Sequence, residues 1–167
     1  MLAQAQGEYG EARRLYQESL EIEQQLGNRA GVAATLHELG RLAQAQGEYG
    51  EARRLYQESL EIEQQLGNRA GVAKSLHQLG VLAQDQGEYG EARRLYQESL
   101  EIEQQLGDRA GVAISLAQLA LLEEAGGNLE RALDLTCQAQ EIMIGLGNPE
   151  HVAHIQRQRE QMERKSR

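Results

Sequence analysis

The sequence predicts an all-α, right-handed solenoid of helix-turn-helix repeats, and two observations predict it. Leu2–Ala33 recurs letter for letter as Leu42–Ala73, and again as Leu82–Ala113 with only Asp85 in place of Ala45 and Asp108 in place of Asn68. A fourth, worn copy runs from Leu122 to Ala153 in the same register. A period of 40 residues without an insertion marks a stacked array, in which no unit buries its apolar face alone. Within each period the apolar residues return at helical steps, and no stretch shows the period-2 alternation of a strand.

In the copy from Asn68 to Gly107, Gly67 supplies the left-handed residue that ends the preceding helix, and Asn68 is placed to cap the next. A first helix, A, is expected from about Arg69 to Gln86. Its Val72, Leu76, Leu79 and Ala83 are stepped by 4, 3 and 4 and share one face, with Leu82 beside it. Gly87 breaks the pattern. A second helix, B, from about Glu88 to Leu106, carries Tyr89, Ala92, Leu95, Tyr96, Ser99, Leu100 and Ile102 on its inner side. So short a connection folds A and B into an antiparallel hairpin.

Counting in this way gives one repeat domain over residues 1–167. Residues 1–27 form a partial repeat that keeps helix B but only Met1–Gln6 of helix A. Residues 28–67, 68–107 and 108–147 are full repeats, and 148–167 form a capping helix. Asn148–Pro149 starts that last helix with a cap and a proline at its first turn. Arg159–Glu160 then makes polar the face that would receive another unit, so the C-terminus reads as finished and the N-terminus as cut. Thr136 replaces the aromatic residue and Gln140 replaces Leu100 in the worn copy.

Composition narrows the function. With a net charge of −9, the field opposes nucleic acid and anionic membranes as partners. Cys137 is the only cysteine, so no internal disulfide can form and a reducing, cytoplasmic setting fits best. No apolar run reaches the ~20 residues needed to span a bilayer. Repeats hold identical residues one helix pair apart, whereas catalysis needs convergent polar groups, so no enzyme activity is expected. His37 and His77 are equivalent positions, but the next copy has Ala117, and neither a metal nor a cofactor is expected. His151 and His154 read as surface residues of the last helix, Cys137 as a small buried side chain. Gly10, Gly50 and Gly90 lie inside helix B at a cost of roughly 1 kcal/mol each against Ala. They are either neutral inheritance by copying or sites of close helix approach.

The fingerprint resembles the tetratricopeptide repeat, a helix-turn-helix family. Leu79–Gly80, Ala83, Gly87, Tyr89, Ala92 and Tyr96 match the family pattern. Leu76 stands where the family usually has Trp, and Ser99 stands in place of its second Ala. Gly80 and Ala92 would let helices A and B approach closely, and the two tyrosines would fill the gap between successive units. The usual unit has 34 residues, with a Pro after helix B. Here Gln104 stands there and the chain runs on through Leu106 and Gly107, a longer form similar to units of animal polarity adaptors, kinesin light chains and many bacterial regulators. The resemblance implies a concave groove lined by helix A that binds peptides or proteins.

Comparing residues 34–73 with 74–113 leaves six differences: Lys74 for Ala34, Ser75 for Thr35, Gln78 for Glu38, Val81 for Arg41, Asp85 for Ala45 and Asp108 for Asn68. Positions 34, 38, 41 and 45 are stepped by 4, 3 and 4, which makes one stripe on helix A, while helix B is unchanged. The worn copy continues the stripe as Ile114, Gln118, Leu121 and Ala125. The expected groove lining is therefore Ala34, His37, Glu38, Arg41 and Gln44, then Lys74, His77, Gln78, Val81, Gln84 and Asp85, then Ile114, Ala117 and Leu121. His37, Arg41, Lys74 and His77 would supply donors, and Val81, Ile114 and Leu121 an apolar anchor. The alternative function is an architectural spacer or homo-oligomerisation array without a groove ligand. Leu15, Tyr16, Ser19 and Leu20, short of a full helix A to cover them, form a candidate self-association face for an N-to-N homodimer.

Overall fold

The computed structural model of the chain describes residues 2–147 and 149–165, the side chains of residues 2–8 and 165 excepted. Among the described residues there are eight helices and no strand: α1 (Leu2–Gln25), α2 (Arg29–Ala45), α3 (Tyr49–Leu66), α4 (Arg69–Asp85), α5 (Tyr89–Leu106), α6 (Arg109–Ala125), α7 (Leu129–Gly145) and α8 (Pro149–Lys165). They fall into two compact units, Met1–Gln86 with α1–α4 and Gly87–Arg167 with α5–α8. In each unit every helix packs against the next.

The joints follow from a few residues. At the end of α3, Gly67 takes φ 68°, a conformation open to glycine at little steric cost. The Gly67 N–H then donates to Gln64 O at 3.1 Å and the Asn68 N–H to Glu63 O at 2.9 Å, which closes the last turn of the helix. The Asn68 side chain in turn accepts from Gly71 N at 3.2 Å and starts α4. Asn28 and Asp108 cap α2 and α6 in the same way. Asn148, expected to cap α8, lies outside the described residues.

The apolar stripes face inward. Leu36, Leu39, Ala43, Ala52, Leu55 and Tyr56 are buried in the first unit, and Leu116, Leu119, Ala132, Leu135, Met143, Ile155 and Met162 in the second. Tyr56 is the hub of the α2–α3 contact: its hydroxyl donates to Gln44 Oε1 at 2.9 Å, and the Ser59 hydroxyl beside it donates to Ala33 O at 2.8 Å. In the second unit Thr136, which stands where the other copies have this tyrosine, donates to Ala132 O at 2.7 Å and faces Met162.

Four expectations change. The expected remnant of helix A is not set apart from helix B, since α1 runs unbroken from Leu2 to Gln25. Tyr49 and Tyr89 do not fill a gap but stand exposed at the first residue of α3 and α5. Open space surrounds Gly10, Gly50 and Gly90, so no close helix approach requires them. Cys137 is half-buried rather than a core side chain.

Candidate functional site

In the first unit the stripe of copy-specific residues lies on one accessible face of α2 and α4. Ala34, Arg41, Lys74 and Asp85 are exposed, while Glu38, Gln44, Gln78, Val81 and Gln84 are half-buried. Side chains of the two helices meet there. Lys74 Nζ stands 3.9 Å from Glu38 Oε1, and Gln44 Nε2 donates to Asp85 Oδ2 at 2.8 Å. Arg41 donates to Glu38 Oε2 at 3.0 Å along α2. The face therefore alternates acid, base and amide across two adjacent helices, with Val81 among them. In the second unit α6 offers its own strip, exposed Ile114 with half-buried Ala117 and Leu121.

The histidines divide. His37 is only 2 % exposed, its ring tilted against Tyr56 at 5.3 Å, and its Nε2 is buried without a hydrogen-bond partner. Burial, with smaller contributions from the cations Lys74 and Arg41, lowers its pKa to about 4, so it stays neutral at neutral pH. His37 is thus a packed side chain beneath the face rather than a surface donor. His77, half-buried on α4, is also shifted down by burial.

Sequence reasoning passed over the buried carboxylates. Glu63 and Glu103, near the ends of α3 and α5, are buried, and each packs its carboxyl against a glycine in the first turn of the following helix, Gly71 or Gly111. An acid there meets the positive end of the helix dipole. The signal lies in the three near-identical copies, where Glu23, Glu63 and Glu103 are each paired with Gly31, Gly71 or Gly111, while the worn copy has Met143 and His151 at these positions. In the second unit Ser99 donates to Glu103 Oε1 at 2.8 Å. Desolvation raises the Glu103 pKa, hydrogen bonds from Ser99 and Ser115 oppose the rise, and the nearby Asp108 adds to it.

Among the expected self-association residues, Leu15 is exposed and Tyr16, Ser19 and Leu20 are half-buried on α1. Among the described residues no group of three or more His, Cys, Asp or Glu could hold a metal ion, and no helix is long and apolar enough to cross a membrane.

The tetratricopeptide repeat model matches residues 1–65 and 71–144. The chain belongs to the tetratricopeptide repeat family. Its fold is the all-α, solenoid-type class that the 40-residue period predicted. No curated protein matches it in sequence. Among solved structures, the tetratricopeptide chain is similar to BtubC (BKLC) from P. vanneervenii, with a TM-score of 0.74 and 19 % identity over 99 % of this chain and 77 % of that one. It is also similar to the nearly identical TPR-like repeats of a Podosopora anserina protein assigned as a kinesin light chain. That match has a TM-score of 0.67 and 20 % identity over 98 % of this chain and 91 % of the other. A Q17M form of the same repeats gives 0.67 and 19 %, over 98 % and 90 %. At these identities the likeness is one of fold. Tetratricopeptide repeats are generally protein-interaction modules.

Proposed function

We propose that this tetratricopeptide chain is a non-catalytic scaffold that binds a protein or peptide segment across the α2–α4 face of its first unit. The observation that supports the reading is where the near-identical copies differ. Four of six differences fall on one helical stripe, and that stripe is accessible and lies on neighbouring helices. Helix B, whose packing residues are shared, is unchanged. Arg41 and Lys74 offer cations, Glu38 and Asp85 anions, Gln44, Gln78 and Gln84 amides, and Ala34 and Val81 apolar contact. The pattern suits an extended or helical segment of mixed charge. His77 stands beside this row, and His37 supports it from below. On α6, Ile114, Ala117 and Leu121 would give a separate apolar contact.

A photo-crosslinking residue at position 41 or 78 tests this against position 57 or 61 on the outer helix. Capture of the same protein partner from both inner positions and neither outer one is expected. Replacing Arg41 and Lys74 by Glu should then abolish capture while the helical signal stays intact, and unchanged capture would refute the face. One observation favours an architectural array instead: Glu38–Lys74 joins two copy-specific residues, and Gln44–Asp85 ties a third to a glutamine shared by both copies. Under that reading the double Glu variant loses stability but no partner.

A further inference from the structure

We infer that the cavity beneath the α2–α4 face is a pocket for one arginine side chain of the bound segment, an inference that rests on that face being the binding surface. The cavity holds about 260 Å³ between α2, α3 and α4. Ala34, Asn68 and Lys74 stand exposed at its rim, and His37, Ser59 and Glu63 are buried at its floor. Two floor atoms lack a hydrogen-bond partner: Nε2 of His37, a residue 2 % exposed, and Oε2 of Glu63, a residue 8 % exposed. Such atoms cost stability when left bare, and a ligand that pairs both removes that cost. The equivalent acid of the second unit is better served, since Glu103 Oε1 accepts from Ser99 at 2.8 Å. In the first unit Ser59 donates to Ala33 O instead, at 2.8 Å.

The floor selects the ligand by its acceptors. A carboxylate offers acceptors alone, and the Ser59 oxygen, its proton committed to Ala33 O, can only accept further. His37 is neutral at neutral pH, because burial and the cations Lys74 and Arg41 hold its pKa down at about 4, so its Nε2 can accept as well. The Ser75 hydroxyl on the α4 wall can turn either way. An occupant must therefore bring several donors to acceptors that sit on two helices. A guanidinium carries its donors spread around a rigid plane, and its charge matches the acid. An ammonium concentrates its donors at one point, and an anion would meet acceptors only. Lys74 leaves the entrance open, since it is exposed and its Nζ stands 3.9 Å from Glu38 Oε1. The Glu63 carboxyl is packed against Gly71, which holds the acceptor in place before a ligand arrives.

Disulfide tethering tests the pocket without a partner protein. The whole chain carrying Ala34→Cys and Cys137→Ala is offered the disulfides of 2-guanidinoethanethiol and of uncharged 2-ureidoethanethiol, at equal concentration under mild reduction. Mass spectrometry reads which arm is held at the rim. The guanidino arm should win by about fivefold, the margin of a charge-assisted over a neutral hydrogen bond. Glu63→Gln should bring the ratio to one, and Glu103→Gln should leave it unchanged. The Glu63 carboxyl carbon should shift in NMR with the guanidino arm and not with the ureido arm, a readout that needs no change at position 63. Equal use of the two arms, a preference for the ureido arm, or a guanidino preference that survives Glu63→Gln would each overturn the inference. Crosslinked capture at positions 41 and 78 without an arm preference would refute the pocket and keep the face. An arm preference without capture would refute the face and keep the guanidinium chemistry of the pocket.

Discussion

A methyl group on Gly40 would lie 2.7 Å from Cε1 of Tyr56, closer than carbon atoms pack. The glycine is there because the ring of the neighbouring helix occupies the space a side chain would need. The worn copy shows the same coupling in sequence: Ala120 stands at the glycine position and Thr136 at the tyrosine position. Adding a methyl and removing the ring compensate each other.

It follows that Gly40→Ala should destabilise the first unit by roughly 1–3 kcal/mol, because a buried ring whose hydroxyl is hydrogen-bonded to Gln44 of α2 cannot move away freely. Gly40→Ala combined with Tyr56→Thr should cost less than the sum of the two single changes, since the second change removes the clash. Urea unfolding of the four proteins measures the coupling. Strict additivity would mean that the ring and the glycine do not limit each other.

The opposite sign is expected at Gly50 and Gly90. Both lie in the first turn of a helix with nothing near the place a Cβ would take. Alanine there narrows the unfolded ensemble and meets no obstacle, for a gain of about 0.5–1 kcal/mol at each site. Thermal midpoints of Gly50→Ala, Gly90→Ala and the double variant check it. A lower midpoint would show that these glycines serve a contact.

Acid should weaken the first unit through His37. Its pKa is about 4 in the folded chain, against 6.5 for a free histidine. The unfolded state therefore takes up a proton first as the pH falls. The stability that depends on a neutral ring is complete above pH ~6.5 and drains away toward pH ~4, with a loss of about 2 kcal/mol by pH 5. His77 acts in the same direction. Denaturant midpoints at pH 7 and pH 5 should differ strongly in the native chain and much less in His37→Gln, even if that variant is weaker at both. An equal drop in the two proteins would assign the acid sensitivity elsewhere.

The period, the hairpins and the caps were legible in the sequence because they depend on residues next to each other in the chain: Gly67 then Asn68, or leucines stepped by 3 and 4. The fates of equivalent residues were not legible, because they depend on what each copy packs against. Tyr56 is buried and Tyr16 half-exposed although their surroundings in sequence are identical. The stripe makes His37 a groove donor by position, yet it falls where Tyr56 of α3 packs against it. Glu63 and Glu103 were passed over because a glutamate near a helix end reads as solvated. Only the following helix, with a glycine at its first turn, makes room to bury one. Helix phase alone places Ala34, Arg41, Lys74 and Asp85 on exposed positions of α2 and α4.

Glu103 gives the last prediction. Its carboxylate is buried, and desolvation together with Asp108 raises its pKa in spite of hydrogen bonds from Ser99 and Ser115. A raised carboxyl pKa means that the folded chain holds the proton more tightly than the unfolded one. The associated stability is therefore present in acid and is lost as the pH climbs through the folded pKa. At pH 7 the charge is a burden, and Glu103→Gln, which keeps the shape and an acceptor for Ser99, should raise stability by about 0.5–1.5 kcal/mol. The advantage should vanish below pH ~4, where Glu103 is itself neutral. Asp108→Asn restores the residue found at position 68. It should move the Glu103 pKa back down and give part of the same gain at pH 7, while its side chain still caps α6. Carboxyl NMR titration of Glu103 with and without Asp108→Asn follows the cause directly. A Glu103→Gln variant less stable than the native chain at pH 7 would instead show that the α6 helix end repays the buried charge in full.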